Sequence, residues 1–540
     1  AGLGYDDQPA SVYASTGVIA PATGKDMSKL VARRAVPRFI AEKCTQCMKC
    51  IVACPDTALP NTAQDLGTIV AQAVRSYVNR KDDREMLLKA FSKAESVIRQ
   101  TMLAESPKKG EAEPFQSILR RHMEQVLKED PEFRGRDFSA SASELFAITE
   151  KLPLAYSMTL QIFSAKEKKT PGSGGLFSIF VSDLCKGCGQ CVVECGDHEA
   201  LEMIAETDPV TADIHTRMNF LKLLPETPKT YLGLYDPERP VEAKAAVLQY
   251  HLMQQSKYAA LVSGEGACAG CGEKTVLHLV ASVTEACLRP VFHAKADRLA
   301  EKAQRLRETG LESLNALEKE NPQGYGIFRR TVAHLLMGCG GESPEDTKGR
   351  MEREFKGGNR EIVDALAAVM EQDAFNHREL RAVEGMSAKG MCVMGMTANT
   401  GCPTVYGSTP PANPHPYPWM NSLFQDGATI GWLVAESFIQ NHARRSVLPE
   451  RFADAVLSGF KEKHSPLSEE DYFLYTHFTD AVMTDREVAE LPKVWAVGGD
   501  GGLGDIGYQN LSKSILQNRP NFKALMLDTQ VYSNTGGQNS

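Results

Sequence analysis

The sequence predicts two fold classes in one chain: a small α+β unit built around cysteine runs and carrying a helical insertion, then an α/β unit with a parallel sheet and flanking helices. Three observations lead there. Two cysteine runs share the spacing C-x2-C-x2-C-x3-C. Apolar residues between those runs, and again beyond residue 290, recur at helical period. The C-terminal stretch reads strand, glycine turn, helix, strand.

The 540 residues exceed what one core holds, and at about 150 residues per domain they imply three or four units. A balance of 60 basic against 68 acidic residues gives net charge −8, not the basic excess of a nucleic-acid binder. No apolar run approaches the roughly 18 residues that cross a bilayer, so no membrane-spanning enzyme is expected. The first 30 residues hold no apolar signal core. The chain begins at Ala1 and stops at Ser540 in a Gly-rich stretch, which gives the expectation of an excerpt from something longer.

Fourteen cysteines are too few for a disulfide scaffold, and eight fall in two runs: Cys44, Cys47, Cys50, Cys54 and Cys185, Cys188, Cys191, Cys195. In such a run three close thiolates wrap one face of an iron–sulfur cube, while the fourth points away and ligates another cube. The expected ligation is therefore crossed. Cys44, Cys47, Cys50 and Cys195 hold one [4Fe–4S] cluster; Cys185, Cys188, Cys191 and Cys54 hold the second. Pro55 follows the first run and Gly196 the second, where a glycine still turns the chain. A pair of zinc sites is the plain alternative, but zinc prefers two C-x2-C pairs parted by a longer knuckle. Cluster assembly needs reduced thiols, which leads to the expectation of a cytoplasmic protein. Cys268 and Cys271 form C-A-G-C-G, and Cys402 lies in Asn399–Pro403. Cys287, Cys339 and Cys392 carry no spacing signature and read as ordinary thiols.

Residues 1–35, rich in Ala, Gly, Ser and Pro, read as a linker or wrapping segment. The two-cluster unit follows over 36–215. Its runs are parted by 130 residues, where a compact unit needs only a few tens. Within that gap Leu66, Ile69, Val70, Val74, Tyr77 and Val78, and then Phe115, Ile118, Leu119, Met123, Val126 and Leu127, repeat at helical spacing. A helical insertion is expected over 62–170, with core-facing stripes, ending in the loop 170–175. A connecting segment, 216–262, carries a helix near Glu242–Gln255. The last unit, 263–540, is interrupted over 290–388 by charged helices, with Leu299, Ala303 and Leu306 on one face and Leu311, Leu314 and Leu317 on another. Their charge runs read as solvated faces. His415, in the Pro-rich Asn413–Trp419 loop, reads as a surface residue rather than a ligand.

Lys493–Val497 reads as a buried strand, Gly498-Gly499-Asp500-Gly501-Gly502 as a turn, Gly504–Gln517 as an amphipathic helix and Lys523–Leu527 as a second strand. The glycine turn, with Gly499 and Gly501 flanking Asp500, puts backbone N–H groups and a helix N-terminus where phosphate can dock. A Thr/Ser/Asn loop follows 29 residues after Asp500. A carboxylate, a hydroxyl and a main-chain carbonyl can then share a hard cation that neutralises a diphosphate. The spacing is neither G-x-G-x-x-G nor a Walker loop, and a metal-bridged diphosphate of the thiamine type fits better.

Four stretches resemble the pyruvate:ferredoxin oxidoreductases: Gly266–Glu273 (GACAGCGE), Ala398–Cys402 (ANTGC), Trp419–Asp426 (WMNSLFQD) and Leu527–Gln538 (LDTQVYSNTGGQ). Their order, and the dicluster unit before them, match as well; the two helical insertions are not part of the family's pattern. The resemblance implies a transketolase-like thiamine-diphosphate-binding domain, truncated at its C-terminus, after a ferredoxin-like two-cluster domain. It implies that Cys268, Cys271 and Cys402 are ligands of a third, proximal [4Fe–4S] cluster. The family's fourth ligand lies beyond Ser540, with Cys287, Cys339 or Cys392 as possible substitutes. Asp500, the Thr529 side chain and the Val531 carbonyl are implied as Mg2+ ligands, Glu273 as a thiamine-site residue and Asn534 as the amide that contacts the substrate.

The activity so implied is oxidative decarboxylation of pyruvate with coenzyme A to acetyl-CoA and CO2, or the reverse carboxylation. Electrons would pass through three [4Fe–4S] clusters to ferredoxin or flavodoxin. A pyrimidine-binding, transketolase-like domain is needed from a missing N-terminal portion or a separate subunit, and the complete enzyme is expected as a homodimer. Two alternatives stand beside this: the same chemistry on another 2-oxoacid such as 2-oxoglutarate, and a non-catalytic iron–sulfur electron-transfer subunit.

Overall fold

The computed structural model describes residues 18–20, 33–108, 110–233, 238, 240–258, 268–337, 358–378, 391–407, 413, 415, 417–422, 424–462, 465–532 and 536–539. They divide into two compact units, 26–281, and 1–25 together with 282–540. Asn534 and Cys339 lie outside the described residues.

In unit 26–281 two antiparallel ribbons frame the cysteine runs. Strand β1 (Ala35–Phe39) precedes the first run and pairs with β4 (Leu201–Ala205), which follows the second, in the register Ala35↔Ala205 to Phe39↔Leu201. Strands β2 (Asn61–Asp65) and β3 (Gly175–Ile179) pair likewise, Asn61↔Ile179 to Asp65↔Gly175. Because β2 and β3 are neighbours, the chain between them leaves and returns at one place, so a long excursion does not disturb the ribbons. That excursion is helical: Leu66–Tyr77, Lys81–Glu105, Phe115–Glu129, Ser139–Lys151 and Ser164–Lys169. Asp65 starts the first helix by accepting the Thr68 N–H at 2.9 Å, a side-chain cap of the usual kind. Leu66, Ile69, Val70, Val74, Phe115, Ile118, Leu119 and Met123 are buried together in a core of their own, separate from the core that contains the thiols. The return into β3 is pinned by buried Arg99, whose Nη1 donates to Glu167 Oε2 at 3.1 Å and to the Gly174 carbonyl at 2.8 Å.

In the other unit a parallel sheet runs in the order β6 (Trp419–Asn421), β5 (Met394–Ala398), β7 (Lys493–Gly499), β8 (Phe522–Leu527). The helix Gly427–His442 buries Ala428, Gly431 and Ala435; Gly431 sits so close to Thr397 that an added Cβ would fall 2.6 Å from its Oγ1. A π-helical turn, Asp500–Asp505, follows β7, and the α-helix begins at Tyr508 rather than Gly504. Gly507 explains the delay: its backbone approaches the Gly502 carbonyl to within 1.9 Å of where a Cβ would stand, a wider turn than an α-helix makes. The antiparallel bridge of Ile19 to Trp419 ties a short N-terminal piece to the sheet edge.

Helices Pro322–Met337, Asn359–Arg378 and Leu448–Leu457 pack with the later turns of Gly272–Glu320 around Leu299, Ala303, Leu306, Leu314, Phe328, Ile362, Leu366 and Phe452. Leu311 is only half-buried. Two sequence expectations need correction. His415 is not a surface residue but fully buried, stacked on Tyr417 with ring centroids 5.7 Å apart and tilted against Trp419 at 4.7 Å. Asn413 Oδ1 accepts the His415 N–H at 2.9 Å and turns the loop inward. In addition, an 18-residue window of the helix Gly272–Glu320, with mean hydropathy 1.2 and a third of it buried, is long and apolar enough to cross a membrane by length and composition. Among the described residues it is the one such window.

Charges that read as solvated faces also include a buried set. Lys295 Nζ lies 3.0 Å from His377 Nε2, 3.2 Å from His442 Nδ1 and 3.4 Å from Asp373 Oδ2. The other ring nitrogens donate to the carbonyls of Asp373 (2.8 Å) and Glu487 (2.9 Å), so both imidazoles are neutral acceptors for the ammonium. Burial and the ammonium hold His377 down to about 4 and His442 to about 3. In the unfolded chain these rings take protons near 6.5, so below that pH the unfolded state binds more protons and acid favours it. Melting temperature is expected to fall as pH drops from about 6.5 towards about 4. The variant His377→Gln/His442→Gln should be less stable at neutral pH and show a flatter slope in thermal melts across that range.

Candidate functional site

The two cysteine runs fold alike. Left-handed backbone occurs at Gln46 (φ 59°) and Met48 (φ 65°) in the first, and at Gly187 (φ 67°) and Gly189 (φ 77°) at matching positions of the second. Gly187 is required, because a Cβ there would lie 2.5 Å from the Ala35 carbonyl. These turns aim backbone N–H groups at sulfur: Gln46 N–H to Cys44 Sγ at 3.4 Å, Ala58 to Cys54 at 3.3 Å, Gly187 to Cys185 at 3.4 Å and Ala200 to Cys195 at 3.3 Å. Amide donors on sulfur stabilise thiolate charge and tune an iron–sulfur centre.

Cys54 is the C-cap of the short helix Lys49–Ala53, and Cys195 is the last residue of the short helix Gln190–Cys195. Cys44, Cys47, Cys50 and Cys195 line one small pocket, whose wall is completed by apolar Phe39, Met48, Phe177, Ile179, Ala200 and Leu201 and by polar Thr45, Gln46 and His198. Around the second run, Cys191 is flanked electrostatically by Cys54, Cys185 and Cys188. Burial pushes the thiols of Cys44, Cys54 and Cys191 up to about 12, so each ionises at neutral pH only against a strong positive charge such as an iron core. Among the described residues no cysteine is in a disulfide and no three His, Cys, Asp or Glu side chains close on a single metal ion.

Several residues near the thiols carried no sequence signal. Arg33 Nη1 donates to the Cys185 carbonyl at 2.9 Å and its Nε to Glu206 at 2.9 Å, bracing the second run. Tyr258 is buried with Cys50, Cys54 and Cys191 as its sulfur neighbours, and accepts the Leu59 N–H at 2.8 Å. Asp56 and Thr57, just past Cys54, meet Lys274 and His278. Partners more than 200 residues away cannot be read from local pattern.

Cys268 is exposed and Cys271 half-buried at the start of the helix Gly272–Glu320. The Cys271 thiol, pushed up by burial, accepts the N–H groups of Lys274 and Glu273. Glu273 is the second residue of that helix and half-buried. Cys402 opens the short helix Cys402–Tyr406 in the sheet-containing unit. Cys287 is exposed and Cys392 half-buried.

The sheet brings the other motifs together. Since all four strands are parallel, Asn399–Cys402, Ser422 with Phe424–Asp426, Asp500–Gly502 and Asp528–Val531 all emerge at its carboxyl end, where open α/β sheets bind ligands. The order β6-β5-β7-β8 reverses between β5 and β7, the switch point at which a crevice opens. Buried Asn399 fixes both sides: its Nδ2 donates to the Gly502 carbonyl at 2.6 Å and its Oδ1 accepts the Gly427 N–H at 2.6 Å. Thr400 Oγ1 donates to the Ser422 carbonyl at 2.8 Å, and Asn510 Nδ2 to the Gln425 carbonyl at 3.0 Å.

At this end Asp500 is buried; its Oδ1 accepts the Thr529 N–H at 2.9 Å, and its Oδ2 has no hydrogen-bond partner among the described residues. Thr529 Oγ1 donates to the Val531 carbonyl at 3.1 Å. A carboxylate, a hydroxyl and a carbonyl thus stand together with one carboxylate oxygen unused, a donor set of the hard, oxygen-only kind that suits Mg2+. Gly501 has no room for a side chain, since a Cβ would lie 2.1 Å from the Tyr532 ring; Gly499 ends β7 in extended backbone. Gln425, in left-handed backbone (φ 59°), presents a second buried acceptor that has no partner among the described residues, its Oε1.

Comparison with known proteins gives relatives for part of the chain. It is 33% identical over 159 residues to a probable pyruvate-flavodoxin oxidoreductase of Escherichia coli (strain K12), covering 26% of this chain and 14% of that protein. It is 30% identical over 173 residues to pyruvate:ferredoxin oxidoreductase of Moorella thermoacetica, covering 26% and 15%. With pyruvate-flavodoxin oxidoreductase of Rhodospirillum rubrum the identity is 33% over 172 residues, covering 27% and 14%. The matched stretch thus spans about one seventh of these curated relatives' length. No protein-family model matches the chain.

Proposed function

We propose, on the premise that this chain is a relative of the pyruvate:ferredoxin and pyruvate-flavodoxin oxidoreductases over a quarter of its length, that it is the redox and thiamine-diphosphate portion of a 2-oxoacid oxidoreductase. Its reaction is oxidative decarboxylation of pyruvate with coenzyme A, or the reverse. The observation that carries this is Asp500, a buried carboxylate with an unpartnered oxygen beside Thr529 and Val531. An electron relay has no use for such a ligand set; a metal-bridged diphosphate needs one.

Asp500 Oδ2, Thr529 Oγ1 and the Val531 carbonyl would hold Mg2+. Asn399 keeps the Gly498–Gly502 turn in place, and bare Gly501 keeps it flat against Tyr532. Cys44, Cys47, Cys50 and Cys195 would hold one [4Fe–4S] cluster, Cys54, Cys185, Cys188 and Cys191 the second, and Cys268, Cys271 and Cys402 three corners of the third. Thiamine diphosphate, when bound, supplies stabilisation of the carbanion left by CO2 loss, and the clusters accept electrons singly. On the resemblance alone, Glu273 serves the thiamine site and Asn534 the substrate. The remaining partners are ferredoxin or flavodoxin, coenzyme A, a pyrimidine-binding domain and a second copy of the complete enzyme, in a cytoplasmic setting.

The test is Mg2+-dependent thiamine diphosphate binding by the purified chain or its complex, then anaerobic addition of pyruvate with coenzyme A. Slow bleaching of the cluster absorbance is expected. Bleaching with 2-oxoglutarate alone would reassign the substrate, and a relay subunit would bind no thiamine diphosphate at all.

A further inference from the structure

We propose that Tyr532 and Asp505 form a clamp that positions the Val531 carbonyl, and that this clamp makes the cation site assigned to Asp500, Thr529 and Val531 select Mg2+ over the larger Ca2+. This rests on the reading above that those three residues hold a cation on thiamine diphosphate.

The contacts of the clamp are direct. Tyr532 Oη donates to Asp505 Oδ2, and a hydroxyl on a carboxylate makes one of the stronger side-chain hydrogen bonds. The Tyr532 ring covers Gly501, where a Cβ would fall 2.1 Å from Cε1 and 2.5 Å from Cδ1. Asp500 and Asp505 are the first and last residues of the π-helical turn. At its first residue, Asp500 Oδ1 accepts the Thr529 N–H at 2.9 Å. The loop is therefore tied to both ends of one turn, and Val531 lies between the two ties.

Backbone contacts stiffen the same stretch. Val531–Tyr532 pairs antiparallel with Gln538–Asn539, Tyr532 opposite Gln538 and Val531 opposite Asn539. The Tyr532 carbonyl accepts the Gly537 N–H at 3.0 Å. Within the turn, the Ile506 N–H donates to the Gly501 carbonyl at 3.0 Å. Thr529 Oγ1 donates to the Val531 carbonyl at 3.1 Å, which sets two of the three assigned ligands in register with each other.

Asp505 is exposed and Tyr532 half-buried, so their bond covers no core, and surface contacts of this kind contribute little to fold stability. Its consequence is local: it fixes where the neighbouring Val531 carbonyl stands. Mg2+ demands a near-ideal octahedron of oxygens at about 2.0–2.1 Å, whereas Ca2+ accepts irregular sets at about 2.3–2.6 Å. A ligand loop held at both ends keeps the spacing that the smaller ion needs, and a loosened one suits Ca2+ as well.

The experiment titrates Mg2+, and separately Ca2+, into the purified full chain or its complex at saturating thiamine diphosphate, by calorimetry corrected for cation bound to the free cofactor, with melting curves as control. Tyr532→Phe keeps the ring over Gly501 and loses only the hydroxyl. It should lower Mg2+ affinity about tenfold while Ca2+ affinity changes far less. Asp505→Ala should do the same, the double variant should be no worse than either single one, and Asp505→Asn, whose oxygen still accepts the hydroxyl, should recover most of the Mg2+ preference. Unchanged Mg2+ affinity in Tyr532→Phe, or equal losses for both cations, would overturn the proposal by making the pair a general brace. Loss of Mg2+ in Asp505→Ala alone would assign Asp505 to the cation directly and equally overturn it. A wild-type chain that takes up neither cation with thiamine diphosphate would instead sink the functional reading, and the clamp with it.

Discussion

The double variant Cys54→Ala/Cys188→Ala is expected to lose one cluster, about four of about twelve irons, whereas Cys54→Ala/Cys47→Ala should lose two, about eight. The asymmetry follows from the crossing. Cys54 shares its run with Cys47, yet its sulfur neighbour across the fold is Cys185, and Cys195 completes the pocket of Cys44, Cys47 and Cys50. An uncrossed arrangement, each run holding its own cube, predicts the reverse: two clusters lost with Cys188 and one with Cys47. Iron and sulfide analysis of anaerobically reconstituted protein decides between them. Both variants should also be less stable, because an unligated pocket leaves buried thiols beside a void.

Asp500→Asn is expected to abolish Mg2+-dependent thiamine diphosphate binding, by roughly two orders of magnitude in affinity or more. The substitution is chosen to spare the fold: an asparagine oxygen can still accept the Thr529 N–H that Asp500 Oδ1 holds at 2.9 Å. What it removes is the charge on an oxygen that has no other partner. Asn399→Ala should weaken binding differently, through the turn, because the Gly502 carbonyl and the Gly427 N–H both lose their partner. Calorimetric titration of thiamine diphosphate with Mg2+, with melting curves as control, separates these effects. Wild-type affinity in Asp500→Asn would remove Asp500 from the cation site.

Signals confined to a few neighbouring residues were legible in the sequence. Cysteines two and three residues apart must share one small volume whatever surrounds them, and the glycines around Asp500 announce a tight turn after a strand. The helical stripes of Leu66–Val74 and Phe115–Met123 likewise state which face is buried, because an apolar period has one physical use in water. The π-turn at Asp500–Asp505 was not legible, since it depends on the Gly502–Gly507 approach. His415 was misread for a related reason: a Pro-rich loop resembles surface until Trp419 and Tyr417 are there to stack on it.

By itself, then, the sequence determined which residues stand ready for chemistry: eight thiols in two matching runs, a glycine turn around an aspartate and two helical excursions, all written in residues close along the chain. Only the tertiary structure decided who meets whom. Asp56 takes a lysine 218 residues away, Lys295 finds two histidines on other helices, and four loops from one sheet end gather around Asp500. A buried charge looks like a solvated one until its partner is placed, because what makes burial tolerable is a contact set by packing and not by order along the chain.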